Sequence, residues 1–213
     1  IFAFMVISST AAWADDTLDT GNNAWILTAS ALVLLMTPGL AFFYGGMSSV
    51  KNIVNMIMMV FMCMAIISVQ WVFWGYSLAF GPDCGSFIGS LAMAGLHGIT
   101  PDGVSGTISH YTFIAFQSTF AIITVGLILG AVEGRMKFSA VLLFIPIWST
   151  AVYDPVCHWV WGGGWLGSWG VLDFAGGTVV HINSAAAALA LVLLLGKRKN
   201  TNVRPPCNVP MIA

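Results

Sequence analysis

Two ionisable side chains stand beside or inside long apolar stretches, where a charge needs a reason. Asp173 lies in LDFAGG, directly before an apolar segment, and His181 lies inside that segment, in TVVHINSAAAALALVLLLG. A charged side chain at the middle of a bilayer costs from about 2.5 to more than 10 kcal/mol. Asp173 is placed either to attract a cation near the membrane surface or to cap the following helix by accepting its free N–H groups. Capping, or shaping an entrance without touching the solute, is the simpler interpretation.

His181 has two interpretations of its own. A neutral imidazole can accept or donate one hydrogen bond to a polar solute that passes it. The alternative is a core histidine whose ring is bonded by a neighbouring helix, and the spacing favours neither. Ser184 and the alanine run 185–188 make this segment slender, which is typical of tightly packed membrane helices.

Aromatic residues form a third candidate feature. Phe113, Phe116 and Phe120 recur at i, i+3 and i+7, which places them on one stripe of a helix. Such a stripe normally faces lipid or the protein core. A more specific hypothesis pairs Phe120 with Trp161 as two faces for a cation, each contact contributing about 0.5 to 2 kcal/mol. Whether these two side chains meet cannot be read from their positions in the sequence.

The sequence offers no pattern for a cofactor, a metal or catalysis. His97 and His110 are separated by a Gly/Pro loop, and His158 and His181 lie on different segments, so no helix carries a paired-ligand spacing. No nucleophile stands beside a base, and no glycine-rich loop cradles a phosphate at the start of a helix. The formal net charge of -1, without basic clusters among aromatic residues, argues against nucleic-acid binding. We expect neither a cofactor nor enzyme activity.

The elements that must position these residues are membrane helices. Of the 213 residues, 58% are hydrophobic and only 7% are charged, whereas soluble domains carry about a quarter charged residues. The fold class predicted is an all-α polytopic membrane protein. Uncharged stretches long enough for a bilayer predict five spans, at about 24–44, 53–80, 108–132, 138–153 and 178–196. Between the last two spans, the aromatic and glycine-rich segment 154–177 is expected to line a protein-walled cavity, because irregular backbone avoids lipid.

The charges predict an orientation. All seven basic residues follow the first, third or fifth span: Lys51, Arg135, Lys137, Lys197, Arg198, Lys199 and Arg204. By the positive-inside rule that side is cytoplasmic, which puts the mature N-terminus outside a cell (inner or plasma) membrane. The opposite side then carries six aspartates: Asp15, Asp16, Asp19, Asp83, Asp102 and Asp154.

The two ends of the sequence also carry expectations. Residues 1–14 combine an apolar run with Ala12-Trp13-Ala14, which indicates the remnant of a cleaved signal peptide. Residues 197–213 predict a cytoplasmic loop followed by the start of a sixth span. We therefore expect the sequence to be a fragment of a longer protein.

Four motifs together resemble the Amt/Mep/Rh ammonium transporter family, and its Amt branch in particular. They are TPGLAFFYGGM (37–47), FQSTFAIITVGLILGAVEGRMKFSAV (116–141), VYDPVCHWVWGGGWL (152–166) and DFAGGTVVHINSAAAALA (173–190). The resemblance covers about 23–196. It implies an eleven-helix fold of two inverted repeats with the pore between them, assembled as a homotrimer, of which this chain matches the first repeat and the start of helix six. Inverted repeats with a site at their interface are a general transporter plan.

The resemblance also implies roles for individual residues. Trp161 and Phe120 match aromatic positions that face ammonium in the outer vestibule, Phe120 also matches a gate phenylalanine, and Phe116 matches a neighbouring position. Asp173 matches an aspartate that shapes the vestibule, and His181 matches the first of two pore histidines. The implied function is ammonium uptake in which ammonia crosses an apolar pore, with a cytoplasmic PII-type regulator as a partner. The alternative is an ammonium sensor, in which the same fold feeds a cytoplasmic signalling domain.

Overall fold

A computed structural model describes residues 17–198 and 208–212 of the chain. The signal peptide predicted at 1–14 and most of the loop that follows the fifth span lie outside the described residues. Within them, five helices are long and apolar enough to cross a membrane: α1 (Thr20–Met47), α2 (Ile53–Phe80), α3 (His110–Val132), α4 (Phe138–Ser168) and α5 (Gly177–Leu195). The predicted fold class, an all-α membrane protein with five spans, is confirmed. A short helix, Val209–Ile212, packs against the end of α1.

The bundle is built around α3. In its most apolar stretch 56% of the residues are buried, against 17% in the corresponding stretches of α1 and α5. The central helix contacts α1, α2 and α5, and its buried side chains include Ile122, Val125 and Leu129. Much of the apolar surface of α1 and α5 is exposed, and both helices line a cavity with α3, so an apolar face remains uncovered within the described residues.

Three of the long helices contain a π-helical turn. These turns lie at Trp71–Gly75 in α2, Ser149–Tyr153 in α4 and Gly177–Ile182 in α5. A π turn leaves the regular bonding pattern of a helix locally displaced, and such turns are frequent at functional sites. Here they place the side chains that follow them at positions that a regular helical pattern does not predict.

The fourth helix differs from its predicted length. Its end was expected at residue 153, but helical backbone continues for the seven residues Asp154–Val160. Pro155 signals a break, yet it falls just after the π turn, where the normal hydrogen-bond register is already displaced. Asp154 is fully buried in the bundle. Irregular backbone begins only after Val160, so the expected cavity-lining segment is shorter than predicted.

The connection between α2 and α3 is folded as two small hairpins. Strand β1 (Asp83–Cys84) pairs with β2 (Ile88–Gly89), and β3 (Val104–Ser105) pairs with β4 (Ile108–Ser109). The Asp19 amide donates to the Thr107 carbonyl oxygen at 2.9 Å, which ties the start of α1 to the second hairpin. This end of the bundle therefore carries a structured cap rather than a loose loop.

The opposite end gathers the described basic residues. Arg198 forms an ion pair with Glu133, with 3.3 Å between Nη1 and Oε2, and Asn52 donates to the other Glu133 oxygen at 3.0 Å. The Arg135 side chain donates to the Gly196 carbonyl oxygen at 2.9 Å. These bonds join the ends of α3 and α5 to the start of α2. The described basic residues therefore lie together at one end of the bundle.

Candidate functional site

The structure brings the predicted aromatic residues together. Phe116 and Phe120 are neighbours on α3, with ring centroids 4.9 Å apart and planes at 86°. Phe120 in turn contacts Trp161, with ring centroids 6.1 Å apart and planes at 71°. Trp161 begins the glycine-rich turn of α4, residues 161–164. Both contacts are edge-to-face, an arrangement that suits the charge distribution of aromatic rings. All three side chains are half-buried, so their rings are partly accessible from outside the bundle.

The third phenylalanine of the stripe has a different environment. Phe113 packs edge-to-face on Phe80 of α2, with centroids 5.1 Å apart. Phe80 belongs to an aromatic cluster that also contains Trp71 and Tyr76. The stripe therefore divides: Phe113 belongs to the protein core, and Phe116 and Phe120 lie beside Trp161.

Asp173 caps the fifth helix. Its Oδ1 accepts from the Gly177 amide at 2.7 Å, and its Oδ2 accepts from the amides of Thr178 and Val179 at 2.8 and 2.9 Å. The carboxylate thus satisfies three of the free N–H groups at the start of α5. The backbone oxygen of Asp173 also accepts from the Trp161 indole N–H at 2.8 Å. One residue consequently fixes both the start of α5 and the orientation of Trp161.

His181 faces a cavity of about 510 Å³ between α1, α3 and α5. Phe120 lines the same cavity, together with apolar side chains that include Leu40, Phe43 and Val180. Of the side chains that line it in the described part of the chain, only that of His181 carries nitrogen or oxygen. His181 lies in the π turn of α5, whose amide-to-carbonyl bond from His181 to Gly176 measures 2.9 Å. The cavity opens on the uncovered face of the bundle.

Comparison with known proteins finds a family that matches this chain. The profile of the Ammonium Transporter Family matches residues 24–212. The chain is 50% identical over 194 residues to the ammonium transporter of Bacillus subtilis, a match that covers 90% of this chain and 48% of that protein.

The chain belongs to the ammonium transporter family.

Further relatives agree with this assignment. The ammonium transporter of Aquifex aeolicus is 50% identical over 214 residues, covering 98% of this chain and 49% of its own. The crystal structure of Candida albicans Mep2 superimposes with a TM-score of 0.75 at 38% identity, over 84% of this chain and 40% of that one. A structure described as a sensor Amt protein gives 0.79 at 25% identity, over 90% and 50%. The chain spans about half the length of the curated relatives it matches.

The sequence patterns did not predict the contacts of two buried ionisable residues in this ammonium transporter family member. His158 was considered only as a metal ligand, and it is fully buried beside the glycine-rich turn. Its Nδ1 lies 2.9 Å from the Ala79 carbonyl oxygen, and its Nε2 lies 2.9 Å from Oδ1 of Asp83. The hydrogen bond from the His158 ring holds the pKa of the Asp83 carboxyl below its usual value.

Asp154 is the second residue that was missed. Gln70 donates to its Oδ2 at 3.4 Å and to Thr150 at 2.8 Å, and Trp74 also donates to Thr150 at 2.9 Å. The other Asp154 oxygen and the Gln70 carbonyl oxygen are buried without a hydrogen-bond partner. Asp154 and His158 stand four residues apart, the spacing of one helical face. That spacing was the available signal, and Pro155 concealed it by suggesting that the helix had ended.

The residues that the structure describes contain no cluster of three or more His, Cys, Asp or Glu side chains able to hold a metal ion. The site therefore consists of an aromatic group, a helix cap and one histidine in an apolar cavity. Its parts lie one after the other along the bundle, with Trp161 at the end that carries the hairpins and His181 farther along α5.

Proposed function

We propose that this chain forms the first half of an ammonium transporter, which takes up ammonium from outside and conducts ammonia through an apolar pore. One observation carries the proposal: Phe120 contacts Trp161 at one end and lines, with His181, an otherwise apolar cavity at the other. A single aromatic side chain thus joins a surface suited to a cation with a passage suited to a neutral solute.

The first step is recruitment of the cation. Ammonium is small and strongly hydrated, and the faces of Trp161 and Phe120 replace part of its water by contacts of about 0.5 to 2 kcal/mol each. Phe116 packs on the edge of Phe120 and supports its orientation. Asp173 acts indirectly in this proposal, because its carboxylate already accepts three backbone N–H groups and its carbonyl oxygen holds the Trp161 indole.

The second step is entry into the apolar cavity. A bare charge in apolar surroundings loses its hydration without compensation, so the cavity opposes ammonium and favours neutral ammonia. His181 offers one hydrogen bond to a solute that passes it, since it is the polar side chain of the cavity lining in the described residues. The proton released by ammonium travels separately or returns outside.

The orientation follows from charge. The described basic residues lie at the end of the bundle opposite the Trp161 turn, and by the positive-inside rule that end is cytoplasmic. The proposed protein therefore spans the cell (inner or plasma) membrane with its mature N-terminus outside. The uncovered face along α1 and α5 is where a second inverted repeat would close the pore. A homotrimeric assembly and a PII-type cytoplasmic regulator complete the proposal by family resemblance.

Growth rescue tests the function. The full-length protein that carries this segment is expressed in a strain that lacks ammonium uptake, and growth is measured on limiting ammonium. We expect rescue by the wild type and its loss in Trp161→Leu and His181→Asp, with Phe113→Leu as a control because Phe113 belongs to the core. Protein in the membrane is quantified for every variant. Undiminished rescue by both Trp161→Leu and His181→Asp would refute the site.

A chimera provides a second test. This chain replaces the matching half of the Bacillus subtilis ammonium transporter, to which it is 50% identical. We expect the chimera to rescue growth if the uncovered face accepts the relative's other half. A chimera that folds and reaches the membrane, yet transports nothing, contradicts the proposal.

Ammonium sensing is the alternative function, and similarity to the sensor Amt protein favours it. A sensor binds ammonium at the same aromatic group but feeds a cytoplasmic signalling domain. A kinase or cyclase module in the full-length protein, together with ammonium binding and no uptake, would support sensing and refute transport.

A further inference from the structure

We propose that the hydrogen bond between His158 and Asp83 positions Trp161 and thereby sets the affinity for ammonium, although neither residue touches the solute. The inference rests on the proposed function, because it assigns a positioning device to the same site. It concerns the end of the bundle that carries the two hairpins, where the β1–β2 hairpin meets the glycine-rich turn of α4.

Two oxygen atoms from different parts of the chain face the buried His158 ring. Its Nδ1 lies 2.9 Å from the Ala79 carbonyl oxygen, and its Nε2 lies 2.9 Å from Oδ1 of Asp83. Each ring nitrogen therefore has one oxygen partner at hydrogen-bonding distance, which a buried polar group requires. The ring thus links the end of α2 to the β1–β2 hairpin.

Asp83 is held on its other side by its own hairpin. The Ser86 amide donates to Oδ1 at 2.8 Å and to Oδ2 at 3.1 Å. Ser86 adopts a φ of 65°, an unfavourable value for a residue other than glycine, so these bonds offset a strained turn. The Ser86 carbonyl oxygen in turn accepts from the Trp165 amide at 3.1 Å. Asp83 therefore connects the His158 ring to the far side of the glycine-rich turn.

The turn that carries Trp161 is packed directly on this pair. The amides of Gly162 and Gly164 both donate to the His158 carbonyl oxygen, at 3.1 and 2.9 Å. A Cβ atom on Gly162 would lie 2.0 Å from the Ala79 oxygen and 2.7 Å from His158 Nδ1. Because no space separates the turn from the histidine hydrogen bond, a movement of the His158 ring moves the backbone on either side of Trp161.

Trp161 is consequently held from two directions. Its indole N–H donates to the Asp173 carbonyl oxygen at 2.8 Å, which fixes the ring. The His158–Asp83 pair fixes the backbone from which that ring projects. The two supports come from different parts of the chain, so removal of one leaves Trp161 in the fold but displaced relative to Phe120.

The test uses Asp83, because the Asp83 side chain is 45% exposed and its substitution leaves the core filled. In the full-length protein, Asp83→Asn is expected to raise KM for ammonium about fivefold, the effect of losing one ordinary hydrogen bond, with kcat changed less than about twofold. Asp83→Glu is expected to restore most of the affinity. Asp102→Asn, at another exposed aspartate of the same connection, serves as the matched control. A substitution that acts only on folding lowers the amount of protein and leaves KM unchanged.

A double-mutant cycle then asks whether Asp83 acts through Trp161. In a Trp161→Leu background, uptake is measured at high ammonium concentrations, and Asp83→Asn is expected to cause no further rise in KM. Independent, multiplicative effects of the two substitutions would overturn the proposal, as would an unchanged KM in Asp83→Asn. His158→Gln removes a buried group and is expected to reduce the yield of folded protein, so it is not needed for the conclusion.

A fluorescence measurement separates this inference from the proposed function. Asp83→Asn is expected to shift the tryptophan emission of the purified protein, and the shift should vanish in the Trp161→Leu background. A shift that persists without Trp161 contradicts the positioning role whether or not the protein transports. Absence of uptake by the wild type, with the Trp161-dependent shift intact, would refute the proposed function and retain the positioning role.

Discussion

Truncation of Asp173 separates its role as a helix cap from a role in binding the cation. The carboxylate accepts three backbone N–H groups at the start of α5, at 2.7, 2.8 and 2.9 Å. Loss of an N-cap costs about 1 kcal/mol in typical cases and up to about 2 kcal/mol. Loss of the favourable interaction with the helix dipole adds about 0.5 kcal/mol. We therefore expect Asp173→Ala to lower the free energy of unfolding by about 2 kcal/mol.

Asp173→Asn provides the graded comparison. Its amide keeps one acceptor oxygen and loses the charge, so we expect it to retain about half of the capping free energy. The backbone oxygen that holds Trp161 is present in both variants. Thermal unfolding in lipid nanodiscs is the assay, and a loss of about 2 kcal/mol corresponds to a decrease of roughly 4 to 8 °C in the apparent Tm. Asp102→Asn, an exposed substitution, is the control and should leave the apparent Tm unchanged.

The outcome decides between the two interpretations of Asp173. A graded loss, in which Asn lies between Asp and Ala for both stability and ammonium affinity, supports capping with an indirect effect on the site. Equal and complete loss of ammonium binding in Asn and Ala, at unchanged apparent Tm, would refute the capping argument and indicate direct contact with the cation.

Three further predictions follow from other contacts. Asp154→Asn should preserve the yield of folded protein and raise the apparent Tm, because the amide offers a hydrogen-bond donor beside the unpaired Gln70 oxygen. Asp154→Leu should lower the apparent Tm, and thermal unfolding of both variants checks this. The pKa of Asp83 is lowered in the folded protein from its usual 3.8. The ionised carboxylate therefore stabilises the fold fully above pH 3.8, and this stabilisation is lost as the pH falls through the lower pKa of the folded protein. An acid titration of the free energy of unfolding should lack this loss in Asp83→Asn. Gly162→Ala should abolish folding or transport, since its Cβ would meet the Ala79 backbone oxygen at 2.0 Å; normal yield and uptake would contradict the packing described.

The membrane class and the number of spans could be predicted because they depend on composition and local hydropathy. A stretch without charges, long enough for the bilayer, forms a helix wherever it lies, since its backbone polar groups have no other partners in lipid. The main error came at the fourth helix, where Pro155 and Asp154 signal a helix end. Both signals are local, and both were overridden by tertiary contacts, namely a π turn before the proline and Gln70 beside the aspartate.

The candidate site was predictable in membership but not in arrangement. Phe120, Trp161, Asp173 and His181 were all selected from residue type, position and family motifs, and the structure places Phe120 against Trp161. The same patterns gave no sign that His158 contacts Asp83, because the two residues are separated by 75 positions. Contacts between distant segments depend on how the helices pack, which residue spacing along one helix does not encode.

The sequence by itself determined that this chain resides in a membrane, crosses it as five helices and carries its positive charge at one end. These properties follow from the cost of placing charge and unbonded backbone in hydrocarbon, which acts on each segment separately. Only the tertiary structure decided that Asp173 caps α5 and that His181 opens into an apolar cavity. It also decided that the Trp161 turn packs on the buried His158 ring. The cavity and this packing both need segments that are distant in the sequence to meet, and only the packing of the helices brings them together.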